Sequence, residues 1–141
     1  MASDAARGTL VDSNVLIDLF TKDPTWCAWS FAQIVEAGDR GPLLINHVIY
    51  AEVSIRFSNF EDLEEALGRD AFLRAELPWT AAFLAGKCFR DYRSRGGTKT
   101  SPLPDFFIGA HAAVMKLPLL TRDAKRYRTY FPTVELITPE D

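Results

Sequence analysis

The chain has 141 residues, 48% of them apolar, with ten Phe and three Trp, which is enough for one domain with a real core. No apolar run approaches the roughly 20 residues that cross a bilayer, and Met1–Gly8 lacks the apolar stretch of a secretory leader. Residues 1–8 are therefore expected to be a loose tail ahead of a single domain over 9–141. Cys27 and Cys88 lie far apart in helix-like apolar stretches, which argues against a disulfide framework or a zinc site and for buried free thiols in a reducing cytoplasm.

In chain order, Thr9-Leu10-Val11 is a short β-prone run behind Gly8 and predicts a buried strand. Asp12 or Ser13 then caps a helix through Phe20. Pro24 opens a second helix to about Gly38, with Trp26, Trp29, Ala32 and Ile34 on an apolar stripe. After Gly41-Pro42, Leu43-Leu44-Ile45 predicts a second strand, Asn46 a cap, and His47–Phe57 a third helix. Phe60–Arg69 predicts a polar helix, and Phe72–Leu77 reads ambiguously, as a short strand at most. Pro78-Trp79 begins a long helix that ends near Gly96-Gly97. Thr98–Pro104 predicts a loop, and Leu103-Pro104-Asp105 the start of a helix to about Lys116. Leu119-Leu120-Thr121 predicts a strand, Asp123–Tyr130 a short helix and Val134–Ile137 a last strand. Strands alternating with helices from end to end predict an α/β fold, with a mainly parallel central sheet and helices on both faces.

The net charge of −3 is unevenly spread. Residues 1–86 carry 6 basic and 13 acidic side chains, whereas residues 87–128 carry 10 basic and 3 acidic. A basic segment on a mildly acidic chain suggests a local anionic partner such as a phosphate backbone. Solvated helix faces are the plainer explanation of the same run.

Four acids stand where an open parallel sheet binds ligands, outside the carboxyl ends of its strands. Asp12 follows the first strand, and Glu52 lies in the helix after the second. Asp105 opens the helix leading into the third strand, and Asp123 comes just after that strand. Glu52 shares an apolar helix face with Val48, Ile49 and Ile55, and Asp105 shares one with Ile108, Gly109 and Ala112. A carboxylate on an apolar face is costly unless it is paired or coordinates a metal. Clustered carboxylates also raise each other's pKa and call for a cation, for which a hard ion such as Mg²⁺ or Mn²⁺ is suited. Taken singly, Asp12 and Asp123 also read as helix caps and Asp105 as a first-turn acid.

These motifs carry a family resemblance. Leu10-Val11-Asp12-Ser13-Asn14-Val15-Leu16 resembles the opening motif of PIN-domain nucleases, and Tyr50-Ala51-Glu52-Val53 resembles their second. Pro104-Asp105-Phe106-Phe107-Ile108-Gly109-Ala110 is similar to the third, and Leu120-Thr121-Arg122-Asp123 to the fourth. Tyr130-Phe131-Pro132 with Leu136-Ile137-Thr138-Pro139 resembles the usual ending. Ser13 stands where Thr is commoner, and Phe106-Phe107 is bulkier than usual. Length and compactness further resemble the VapC-type toxins of bacterial toxin–antitoxin pairs.

The resemblance implies a PIN-like three-layer sandwich and a Mg²⁺-dependent endoribonuclease, with Mn²⁺ as a substitute, that inhibits translation and growth. It implies an acidic site of Asp12, Glu52, Asp105 and Asp123. Asp12, Asp105 and Asp123 would hold the metal, and Asn14, Thr121 and Arg122 would orient carboxylates or touch substrate. The implied partners are RNA, a cognate antitoxin and a second copy of the chain, in the cytoplasm and away from membranes. The antitoxin would wrap residues 14–35 and 47–69, with Trp26, Trp29 and Phe31 as contacts. Asp18, one turn beyond Asn14, reads either as an auxiliary acid or, more simply, as a surface residue, and His47 and His111 are expected to be structural. A phosphatase with Asp12 as nucleophile would carry a second Asp where Asn14 stands. A catalytically inactive PIN-like RNA-binding or protein-interaction scaffold is the remaining alternative, against which the intact acid set speaks.

Overall fold

β1 (Thr9–Val11) is buried along its whole length and lies at the centre of a five-stranded parallel sheet of order β3-β2-β1-β4-β5. The computed structural model describes residues 8–68, 70–99 and 103–139. Most of the expected N-terminal tail, Arg69 at the end of the fourth helix and the middle of the Thr98–Pro104 loop lie outside the described residues.

From β1 the chain passes through α1 (Ser13–Thr21) and α2 (Cys27–Arg40) to β2 (Leu43–Ile45). It continues through α3 (His47–Ser54) and α4 (Phe60–Leu67) to β3 (Leu73–Arg74) at the sheet edge. α5 (Trp79–Ser94) and α6 (Pro104–Met115) return it to β4 (Leu119–Leu120) on the other side of β1, and α7 (Lys125–Tyr130) leads to β5 (Leu136–Ile137). Leu10 is in register with Leu44 on one side and Leu119 on the other. The crossovers run in opposite directions from β1, and with the right-handedness general to parallel strands they put helices on both faces of the sheet, giving the expected α/β sandwich. They also make the gap between β1 and β4 the topological switch point, where a crevice opens at the strands' carboxyl ends. Leu10, Val11, Ile45, Leu119 and Leu120 form the buried middle of the sheet, with Val15, Leu16, Ile49, Val53, Phe106 and Ile108 packed from the helices.

Several boundaries differ from the sequence expectation for local reasons. α2 starts at Cys27 rather than Pro24, because the Asp23 carboxylate accepts the N–H groups of Thr25 and Trp26 and holds a turn there. α3 stops at Ser54, whose hydroxyl bonds back to the Ala51 carbonyl. α7 starts at Lys125, after Asp123, so Asp123 is a loop residue and not a cap. The ambiguous Phe72–Leu77 stretch contains the short edge strand β3. Both cysteines are free, but they are half-buried rather than fully buried.

Two features lock the helices that carry the acids. Gly109 lies on α6 where an added Cβ would meet the Phe131 ring at 2.3 Å, so the missing side chain is what lets the end of α7 seat against α6. Asn46, at the end of β2, accepts the Ile49 N–H through Oδ1 and so caps α3; its amide donates to His111 Nδ1 of α6 at 2.9 Å. This buried pair ties the helix of Glu52 to the helix of Asp105. It requires a neutral His111, and burial holds the imidazole pKa below its usual value of 6.5. An unfolded chain therefore takes up a proton that the folded one refuses, and stability falls as pH drops from 6.5 toward the folded pKa. Urea unfolding at pH 7.5 and pH 5 should show this as a difference between two proteins: the change in stability from pH 7.5 to pH 5 should be less favourable in the wild type than in His111→Asn. An identical pH slope in the variant would show that the pair does not contribute.

Candidate active site

Asp12 follows directly on β1 and is 3% exposed. One carboxylate oxygen accepts the Ser13 N–H at 2.7 Å and caps α1. The other accepts the Thr121 hydroxyl at 2.8 Å and the Tyr127 phenol at 2.9 Å, with the Asn14 amide at 3.4 Å. The end of β1 is thereby tied to the end of β4 and to α7. Asn14 Nδ2 also donates to Thr121 Oγ1, and its Oδ1 accepts the Arg122 N–H. Asn14 and Thr121 thus both donate to the Asp12 carboxylate.

The other three acids surround this centre. Glu52 is half-buried on α3, and the Ser13 hydroxyl donates to it at 2.7 Å; Ile55, expected to share its apolar face, lies beyond the helix end and is exposed. Asp105 sits in the first turn of α6, with the Tyr127 hydroxyl 3.4 Å away and Arg126 Nε 3.7 Å away. Asp123 is exposed on the β4–α7 loop, and its N–H donates to Thr121 Oγ1.

Burial pushes the Asp12 carboxyl up to about 6, the charge of Asp105 adds to that, and the Thr121, Tyr127 and Ser13 donors hold it back. Burial likewise raises Asp105, with Arg126 and Tyr127 opposing and Asp123 adding to the rise. Glu52 is raised by burial and by Asp105, against the Ser13 hydrogen bond. Asp105 is therefore the acid whose charge couples to each of the other three.

Cation chemistry fits this donor set: three carboxyls are held above their usual pKa by burial and mutual repulsion, on hard oxygen donors. Among the described residues no three acid, histidine or cysteine side chains converge into a ready-made cage. An ion of the Mg²⁺ type does not need one, since it keeps several waters and takes few protein carboxylates.

Sequence reading missed two features. Tyr127 is buried and bridges Asp12 and Asp105, and burial beside those acids raises its phenol well above the usual range. Nothing in its sequence neighbourhood singles it out. Asp18, expected at the surface, is 1% exposed; it accepts the Ser30 hydroxyl at 2.7 Å and pairs through both oxygens with Arg122 at 2.6 and 2.9 Å. The Arg122 guanidinium also lies over the Trp26 ring. Asp18 is three residues from the buried Val15, on the same face of α1, the same spacing signal that marked Glu52. Arg122, expected to touch substrate or orient the site, clamps the loop of Asp123 to α1 and α2. From the basic segment, Arg126 is ion-paired with Asp105.

The sequence profile of the PIN domain family matches residues 9–132, most of the chain. The chain belongs to the PIN domain family. PIN domains are nucleases, which places this one among the hydrolases acting on nucleic acid. No curated protein matches its sequence significantly. Similar solved structures include the VapBC2 complex of Rickettsia felis bound to promoter DNA, at TM-score 0.71 and 14% identity over 94% of this chain and 98% of that one. A toxin–antitoxin complex from Klebsiella pneumoniae aligns at TM-score 0.65 and 25% identity, over 95% and 99% of the two chains. VapBC-1 of nontypeable Haemophilus influenzae aligns at TM-score 0.65 and 18% identity, over 92% and 96%.

Two predictions follow the geometry of this PIN domain. The raised Asp12 pKa, about 6 against 3.8 when unfolded, means the charged carboxylate costs stability above pH 6, and the cost fades as pH falls toward 3.8. Asp12→Asn keeps the cap through its amide oxygen and can donate to the Tyr127 oxygen. In EDTA it should stabilise the domain at pH 7 by on the order of 3 kcal/mol, with the gain gone near pH 4; denaturant midpoints at both pH values check this. Arg122→Ala should do the opposite, losing about 3 kcal/mol by leaving buried Asp18 without its cation, read as a lower melting temperature.

Proposed function

We propose that this PIN domain is a divalent-metal-dependent endoribonuclease, with Mg²⁺ as the natural ion and Mn²⁺ a substitute, and that it is the toxin of a toxin–antitoxin pair. The observation that carries the activity is that Asp12, Glu52 and Asp105 stand around the switch point with burial raising the pKa of each, the charge of Asp105 adding to the rise at Asp12 and Glu52 and that of Asp123 to the rise at Asp105. Asp12 and Asp105 would hold the ion most directly, Asp123 directly or through water, and Glu52 would complete the shell or orient the attacking water. When bound, the ion supplies charge neutralisation and Lewis-acid polarisation at the phosphate. The chain's own contribution is positioning. Thr121, Tyr127 and Asn14 fix Asp12, Ser13 fixes Glu52, and the Arg122–Asp18 clamp fixes the loop of Asp123. Water adds to phosphorus as the ester bond to the departing ribose oxygen breaks, and the acid pair fixed in advance lowers the reorganisation needed.

The partner reading rests on the neighbours, which are described as toxin–antitoxin complexes. It is supported by apolar side chains left exposed on the two segments expected to meet an antitoxin: Phe31 and Val35 one turn apart on α2, and Ile55 and Phe60 around the α3–α4 turn. Trp29, by contrast, packs on the core, and Trp26 is engaged by Arg122. A second copy of the chain, inhibition of translation and a cytoplasmic site of action belong to the same proposal. No helix of the described residues is long and apolar enough to cross a membrane.

The purified protein should cut RNA with Mg²⁺ and stop in EDTA, and its induced expression should arrest growth. Asp12→Asn and Asp105→Asn should each lose about 100-fold or more in rate while remaining folded. Near wild-type cleavage by both folded variants would overturn the assignment. Co-expression of the protein encoded next to it should restore growth.

A further inference from the structure

Beside Asp105 lies a cavity of about 370 Å³ between α5 and α7, lined by Tyr92, Asp105, Asp123, Lys125, Arg126 and Thr129 among others. Its distinguishing feature is Arg126. The guanidinium rests against the rings of Tyr92 and Phe106, 5.4 and 5.5 Å from their centroids, and those rings pack on each other at 5.6 Å. Nε faces the Asp105 carboxylate at 3.7 Å, longer than a hydrogen bond. Nη1 is buried and has no hydrogen-bond partner among the described residues. A buried charged donor without an acceptor is rare and calls for an explanation, an absent ligand being one. The two rings and Asp105 hold the Arg126 side chain in place, and such preorganisation lowers the cost of binding.

We propose that this cavity is a phosphate subsite, anchored by Arg126 and flanked by Lys125 and Thr129, that holds a backbone phosphate of the RNA next to the one being cut. The inference rests on the nuclease reading. Phosphate is the ligand class indicated by the donors: a planar guanidinium suits two phosphate oxygens, and the Lys125 side chain lines the same cavity, beside a Thr129 hydroxyl that donates to the Lys125 carbonyl. Asp105 and Asp123 line the same cavity and repel a free anion, so the subsite serves a phosphate carried in by a strand held elsewhere as well. The cavity thereby joins the acid centre to the basic stretch around Lys125. Arg126 is a substrate-binding residue on this view, rather than only the counter-ion of Asp105.

The test is the salt dependence of binding of a fluorescein-labelled single-stranded RNA to the full chain in EDTA, by anisotropy between 50 and 200 mM KCl. Arg126→Ala should weaken binding about fivefold to tenfold and reduce the slope of log K against log salt by about 0.7, one phosphate on a single strand. Arg126→Lys retains the charge and should restore the slope while keeping part of the affinity loss. Arg40→Ala, on the far end of α2, should behave as wild type. With Mg²⁺, Arg126→Ala should raise KM more than it lowers kcat. Unchanged affinity and slope in Arg126→Ala, with wild-type cleavage intact, would overturn the subsite and leave the nuclease reading standing. Slope loss in Arg126→Ala from a wild type that never cuts RNA would overturn the nuclease reading and retain the phosphate subsite.

Discussion

The carboxylate of Asp12 is the group on which the rest of the site is built. It caps α1 through one oxygen and gathers donors from Thr121, Tyr127 and Asn14 on the other, so the central strand, β4 and α7 are referenced to one side chain. Such an arrangement is unfavourable in isolation, because a buried charge repelled by Asp105 is held against its preference. Local cost of this kind at a converging set of acids is what a cation-binding centre requires, and the surrounding core supplies the stability that tolerates it.

Around that centre the fold uses polar clamps of two kinds. Asp18, Ser30 and Arg122 form a buried bracket that holds the β4–α7 loop to α1 and α2. Asn46 and His111 hold α3 to α6 from below. Neither bracket touches Asp12, yet between them they set where Asp123, Glu52 and Asp105 can stand. Single-donor contacts would let these acids drift apart under their own repulsion; paired, buried contacts do not. The positive charge of the chain is placed in the same way. Arg122 faces inward to a structural acid, whereas Arg126 lies at the border between the acids and an open cavity.

The likeness to toxin–antitoxin structures at 14 to 25% identity shows how loosely the fold constrains sequence. In this chain the buried parallel sheet ends in polar residues at its carboxyl edge. Asp12, Asn46 and Thr121 directly follow β1, β2 and β4 here. Side chains on the helices then decide which ligands that edge favours.

Much of this was legible in the sequence. Short apolar runs alternating with helical stripes are enough to imply a parallel sheet, because period and length are local properties of the chain. The four acids were legible as a set, since three follow strand ends or open helices and Glu52 sits among apolar residues. Asn14 and Thr121 were legible as neighbours of those acids. The tertiary structure alone decided what depends on distant segments meeting: Tyr127 bridging Asp12 and Asp105, 115 and 22 residues away along the chain, and Arg122 reaching Asp18 across 104 residues. It also decided that Asp123 is a loop residue, because the Thr121 hydroxyl takes its N–H before α7 begins. Periodicity shows which face of an element is buried, but only packing chooses the partner that a buried polar group finds there.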